Sequence, residues 1–235
     1  MITAGHAGEI QDPSGVRPWS ALGTRARRWL LAGTLLAGLL VAVALTAAAA
    51  PADRTFATLS DTVQSLMSVM TPLFGILLVR DLRRASGAVR VTPTLVAVGL
   101  PAAVIGVFGV LVCAVTLALT PVVADQPWRH AGIVALGSVL VQLVAGLVGV
   151  GLGLLLRSPV VAFLATVVLP LGLYALLGGV DALRPTQAWL TPYGSVRNLL
   201  SGDMSLLRWA QWLCVLLIWG VGLNAAGAAL LKRRR

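Results

Sequence analysis

The apolar residues of this chain fall in long unbroken runs, without the alternation of a half-buried strand or the one-sided spacing of a surface helix. Six stretches carry no Asp, Glu, Lys or Arg: 29–52, 62–79, 91–124, 131–156, 158–180 and 209–231. A helix crosses a bilayer in roughly 20 residues, so the pattern predicts six spans. The second stretch is the shortest, with Ser60 and Thr62 placed to sit among headgroups. The third is overlong, and Pro121 and the residues after it read as loop. Residues 131–180 cannot be one span. At about 1.5 Å per residue they would reach roughly 75 Å, more than twice the hydrocarbon thickness. They form a hairpin turning at "LRSP" (156–159), where Pro159 starts the next helix. Pro72, Pro101 and Pro170 lie inside the second, third and fifth spans and predict kinks there.

Composition agrees: 58% of the 235 residues are hydrophobic and mean hydropathy is +0.91. A soluble domain of this length cannot bury that much apolar surface in its own core, so lipid takes the remainder. Cys113 and Cys214 sit within apolar runs and read as small hydrophobes, without metal-ligand spacing. "RARRWLLAGTLLAGLLVAVALTAAAAP" imitates a secretory signal, but its apolar run is too long and five more spans follow, so it reads as an uncleaved first helix.

The formal charge of +10 raises nucleic-acid binding as a possibility, and the distribution of that charge removes the need for it. Basic clusters stand at both ends, "RARR" (25–28) and "KRRR" (232–235), and an even number of spans puts them on one side. That side also collects Arg17, Arg80, Arg83, Arg84, Arg90 and Arg157. The other side pairs Arg54, Arg129, Arg184, Arg197 and Arg208 with Asp53, Asp61, Asp125, Asp181 and Asp203 and is neutral. This is the positive-inside asymmetry, with both termini cytoplasmic. Trp19 and Trp29 then lie at the inner boundary and Trp128, Trp189, Trp209 and Trp212 at the outer, where amphipathic rings settle. Trp219 lies deeper, between helices.

The spans contain Ser, Thr, Gln, Tyr and Asn but no ionisable residue near their centres. Ion- and proton-coupled carriers need such residues at depth. Asp61, at the outer mouth of the second span, is the nearest candidate and reads as a headgroup-level residue. His130 and His6 lie too far from any intramembrane serine to act as a base. No metal cluster, phosphate-binding loop or other cofactor motif is present, and the single lysine is Lys232. Catalysis by this chain alone is therefore not expected, and energy for transport would enter from another subunit. Gly149 with Gly153, and Gly222 with Ala226, are four apart, forming small faces for close helix packing, within the chain or between copies.

Against this background the stretch "VRDLRRASGAVRVTP" (79–93) stands out, with five charged side chains crowded between Arg80 and Arg90. Six spans, a basic lead-in and a charged loop after span two resemble the permease subunits of type-two ATP-binding-cassette exporters, over nearly the whole chain from Trp19 onward. That family often carries an Arg-Glu pair, a Gly and a Pro near span three. Here stand Arg80-Asp81, Gly87 and Pro93, with Asp81 in place of the usual Glu and Ala88 where a Thr is common. "GVGLGLLLRSPVVAFLATVVLPL" (149–171) and "GAALLKRRR" (227–235) are similar to the family's span four–five hairpin and exit.

The resemblance implies an all-α permease domain over 17–235 after a disordered tail at 1–16, in a bacterial plasma membrane. It implies a coupling helix between spans two and three, where Asp81 meets a basic residue of a separate ATPase and Arg80, Arg83, Arg84, Gly87 and Arg90 belong to the docking loop. The alternative for those arginines is topology and anionic lipid. It further implies an interfacial elbow before span one carrying Trp19 and Trp29, with Arg25 and Arg28 facing out. The polar-apolar segment 178–204 would form short re-entrant helices before span six, with Trp189 and Tyr193 at an outer gate. The partners so implied are an ATPase subunit, a second permease copy or homologue, and membrane lipid. The expected function is export of an amphipathic drug, antibiotic, peptide or lipid. The alternative is a non-transporting immunity, sensor or scaffold protein of the same six-helix form.

Overall fold

A computed structural model of the chain describes residues 23–86 and 90–233, and among these it is helical without a strand. Six helices are long and apolar enough to cross a membrane. The first is α1 (Arg25–Ala48). The second comprises α2 (Phe56–Met70) and α3 (Pro72–Ser86), broken at Thr71. The third, fourth and fifth are α4 (Val91–Leu119), α5 (Ala131–Leu155) and α6 (Pro159–Gly178). The sixth runs through α9 (Leu206–Val215), a π-helical segment (Leu216–Gly222) and α10 (Leu223–Arg233). Between the fifth and sixth lie a 3-10 turn (Asp181–Thr186), α7 (Gln187–Leu190) and α8 (Pro192–Ser201). The six run up and down, so one end of the bundle gathers Arg25–Arg28, Arg80–Arg84, Arg157 and Lys232. This is called the basic end below.

Hydroxyl caps set five of the ten α-helix starts among the described residues. Thr24, Thr55, Ser158, Thr191 and Ser205 each accept a backbone N–H of the first turn, satisfying donors that a helix leaves open. Ser158 and Pro159 together restart the chain after α5, so the expected hairpin is present. The second span is longer than its uncharged core of 62–79. Its helix continues through the charged residues to Ser86, because arginine stems lie along apolar surface while their heads reach polar partners. It breaks once, at Pro72, which has no N–H for the carbonyl of Ser68. The helices at Pro101 and Pro170 continue through those residues.

The α5 helix is the hub, packed against α2, α3, α4, α6, α8 and α10. Its glycines allow this. A Cβ on Gly149 would lie 2.2 Å from the Pro72 carbonyl oxygen, and one on Gly75 would lie 2.6 Å from the Val150 nitrogen. The Gly149–Gly153 face is thus spent within the chain, on the broken second span. Gly222 and Ala226 are exposed, and the packed face of the last helix is instead Gly220, Asn224 and Gly227, against Leu147, Gly151 and Leu154. The π-helical segment is the reason: widening the turn before α10 rotates which residues face α5. By contrast α6 buries only Ala162 and Leu177 and presents Val161, Leu164, Val168 and Leu176 outward.

Candidate functional site

Three features concentrate polar chemistry in this bundle. The first is at the basic end. Arg27, in the first turn of α1, is only 3% exposed, and its Nη2 donates to Asp81 Oδ2 at 2.6 Å. Arg80 donates from Nε to the other carboxylate oxygen at 3.2 Å. One helical turn along, Arg83 donates to the carbonyl oxygens of Leu154 and Leu156, where the backbone of α5 runs out of its own donors. The end of α3 is therefore tied to the start of α1 through Asp81 and to the end of α5 through Arg83. Arg84 and Arg90 are exposed, as are Arg25, Arg28 and Arg157.

The second lies at mid-bundle, where Gln64, Thr71 and Gln142 are each fully buried. Gln142 Nε2 donates to Gln64 Oε1 at 2.9 Å and to the Gln64 carbonyl at 3.0 Å, and Gln64 Nε2 donates to the Gly106 carbonyl at 3.0 Å. The Thr71 hydroxyl donates to Gln142 Oε1 at 2.6 Å, with the Met67 carbonyl as its other acceptor within reach. Side-chain amides thus pin the break in the second span to α4 and α5. Each side-chain donor and acceptor here has a partner, as a buried polar group requires.

The third is a groove of about 320 Å3 on the flank of the bundle, between α2, α5, α6 and α8. Val141, Val144, Val148 and Val167 supply apolar wall. Ser65, Ser68, Thr166 and Tyr193 supply hydroxyls, and no charged side chain lines it. Tyr193 meets Tyr174 edge-on, ring centres 4.9 Å apart. The short helix α7, just before Tyr193, is anchored at both of its ends. Gln187 donates to the Tyr174 carbonyl at 2.6 Å, and the Trp219 indole donates to the Leu190 carbonyl at 2.8 Å. Thr191, at the bend between α7 and α8, is fully buried.

Sequence-predicted site residues fare as follows. Arg80, Asp81, Arg83 and Arg84 lie together on α3, in the last turns of the second span itself; Arg90 precedes α4, and Gly87 is outside the described residues. Tyr193 lines the groove and Trp189, half-buried on α7, does not. Trp29 is 68% exposed on α1, Arg25 and Arg28 are exposed beside it, and Trp19 is outside the described residues. Trp219 packs between elements as expected. Asp61 is half-buried on α2 and feels the positive charge of Arg197 on α8. Among the described residues no cluster of His, Cys, Asp or Glu could hold a metal ion.

The sequence reading missed Arg27 as the partner of Asp81. The signal was its position: with Arg25 and Arg28 outward, a residue between them faces another way on a helix of 3.6 residues per turn. The Gln64–Gln142 pairing spans 78 residues and has no local signature. No protein-family model matches the chain, and no curated protein is significantly similar to it.

Proposed function

We propose that this chain is the membrane-spanning permease subunit of an ATP-binding-cassette transporter, working with a separate ATPase and a second permease copy or homologue to export an amphipathic or lipid-like cargo. The observation that carries the reading concerns charge. Among the buried described residues the only charged side chain is Arg27, at the basic end and neutralised by Asp81. A bundle with no ionisable group at depth has no proton or ion relay of its own, so its driving force comes from outside the spans. The basic end supplies a surface on which a cytoplasmic subunit can act.

In this reading Arg84 and Arg90 stand on the face that meets the ATPase, and its closure on ATP pulls on the end of the second span. That pull reaches the groove because Pro72, at the break, is one of the groove's walls. The groove, uncharged and bordered by the sparsely buried α6, opens toward the second copy and takes the apolar body of the cargo. Its hydroxyls meet polar atoms of the cargo. Residues 181–201 act as a re-entrant cap, with Tyr193 at its inner edge and Trp189 on its short arm. Trp29, exposed beside Arg25 and Arg28, sits in the headgroup layer.

The test is ATP hydrolysis by the tagged chain isolated from its native membrane in lipid nanodiscs. The reading predicts a stoichiometric ATPase partner, vanadate-sensitive turnover, and loss of that turnover in Arg84→Glu. A chain that purifies without nucleotide-hydrolysing activity, and membrane vesicles that show no ATP-dependent movement of any amphipathic probe, would contradict it.

A further inference from the structure

The flank groove has uncharged walls, but its rim carries one charge of each sign. Ser65 lines the groove from α2 and Tyr193 from α8. Asp61 stands four residues before Ser65 and Arg197 four after Tyr193, so each charge shares a helix face with a lining residue, one turn away. Both turns lead to the end opposite the basic end. There α2 begins, and there α8 finishes, its closing Gly202 packed at His130 just before α5. The two charges meet at that rim, where Asp61 feels the charge of Arg197.

They do not join. Among the described residues neither side chain has an ion pair within 4.0 Å or a hydrogen bond. Asp61 is half-buried, and a carboxylate drawn from water without a donor is costly. The Ser65 and Tyr193 hydroxyls below the rim likewise donate to no described acceptor.

From this we infer that the groove and its rim form one site for a single-chain zwitterionic amphiphile with a primary ammonium, of the ethanolamine-phospholipid kind. The ammonium donates to Asp61, the phosphate accepts from Arg197, and the acyl chain runs down between α5 and α6. The inference names the cargo class of the proposed function and rests on that reading for transport, whereas binding needs no ATPase.

Each part of the ligand answers an observation. A rim of one anion and one cation is satisfied by a zwitterion and only half satisfied by a singly charged amphiphile. Asp61 lacks donors, and a primary ammonium brings three N–H groups; a quaternary ammonium brings none. The groove volume of about 320 Å3 is roughly twice that of an apolar cavity that takes benzene, so it holds about a dozen carbons, one chain and not two. From Asp61 to Arg80 a helix extends about 28 Å at 1.5 Å per residue, close to the hydrocarbon thickness of roughly 30 Å. Asp61 therefore lies at the headgroup boundary, where a phospholipid presents its ammonium.

The experiment is photo-crosslinking of the full chain in nonionic micelles, with a lysophosphatidylethanolamine whose acyl chain carries a diazirine. Unlabelled lysophosphatidylethanolamine, lysophosphatidylcholine and lysophosphatidylglycerol compete with it, as does glycerophosphoethanolamine, which has no chain. Label should map to α2, α5, α6 or α8, and the ethanolamine lipid should compete about tenfold better than the choline or glycerol lipid. Asp61→Asn should melt like the parent and abolish the preference for ethanolamine over choline. Arg197→Gln should weaken both of those lipids alike. Ala145→Phe, which fills the groove, should abolish labelling of α5 and α6.

Equal competition by the ethanolamine and choline lipids in the parent overturns the inference, as does a preference that survives Asp61→Asn. Label that maps outside those four helices overturns it too. So does a chainless headgroup that competes as well as the lipid, because the groove then contributes nothing. A chain that binds with the stated preference yet isolates without an ATPase partner refutes the proposed function and leaves the site standing.

Discussion

The amide knot at mid-bundle makes a quantitative prediction. Replacing Gln142 by Leu removes two donors and one acceptor at once. Gln64 Oε1 then loses its partner while fully buried, whereas the Thr71 hydroxyl still has the Met67 carbonyl at 3.1 Å. Leaving one buried acceptor unpaired costs about 1–3 kcal/mol, and a hydrogen bond between transmembrane helices contributes about 0.6–2 kcal/mol. Gln142→Leu should therefore lose about 2–3 kcal/mol. Gln64→Leu strands Gln142 Nε2 and should cost a similar amount, although the Gln64 carbonyl remains as one acceptor for it. The double variant removes both ends of the pair and should cost about 1–2 kcal/mol less than the sum. At about 2–4 °C per kcal/mol for a chain of this size, each single variant melts roughly 4–12 °C below the parent in detergent micelles, and the double melts about 2–8 °C above the temperature that adding the two single shifts would give. Strict additivity of the three melting shifts would refute the paired geometry. So would a Gln142→Leu variant as stable as the parent.

Other consequences follow from single contacts. Gly149→Ala places a methyl 2.2 Å from the Pro72 carbonyl oxygen, forcing α3 and α5 apart, and should cost about 1–3 kcal/mol. Gly172→Ala, with nothing within 4 Å, should be neutral or gain up to about 1 kcal/mol, both read as melting shifts. Trp219→Phe removes the donor to Leu190 and should raise hydrogen exchange across residues 187–196 while leaving α4 unchanged; equal protection in both proteins would contradict the anchoring role. Arg83→Lys keeps the charge but not the fork that spans two carbonyls, so it should melt near Arg83→Ala, a degree or more below the parent; a lysine variant indistinguishable from the parent would show that charge alone suffices.

The spans were legible in the sequence because their signal is local and large. The turn at 156–159 followed from length alone, and Ser158 and Pro159 place it there. What escaped was long-range or rotational. The uncharged core 62–79 stopped at the first arginine, yet the helix runs on to Ser86, since Arg27 and the end of α5 satisfy the charges that seemed to end it. Gly222 and Ala226 satisfied a spacing rule on a helix assumed regular, and the π-helical segment that ends at Gly222 turned Asn224 and Gly227 inward instead. At the candidate sites, composition revealed which residues are chemically unusual. Only the fold revealed that Asp81 is spoken for and that Tyr193, without Trp189, enters the groove.

The most direct test is sidedness. In a chain with Cys113 and Cys214 replaced by Ala, a single cysteine is introduced at Arg84 or at Ser201, both exposed, and treated with a membrane-impermeant maleimide. Arg84→Cys should label only after the cytoplasmic face is opened, and Ser201→Cys in intact cells. Labelling of Arg84→Cys in intact cells would put the arginine-rich end outside, beyond reach of any cytoplasmic ATPase, and would contradict a transport cycle driven from that end.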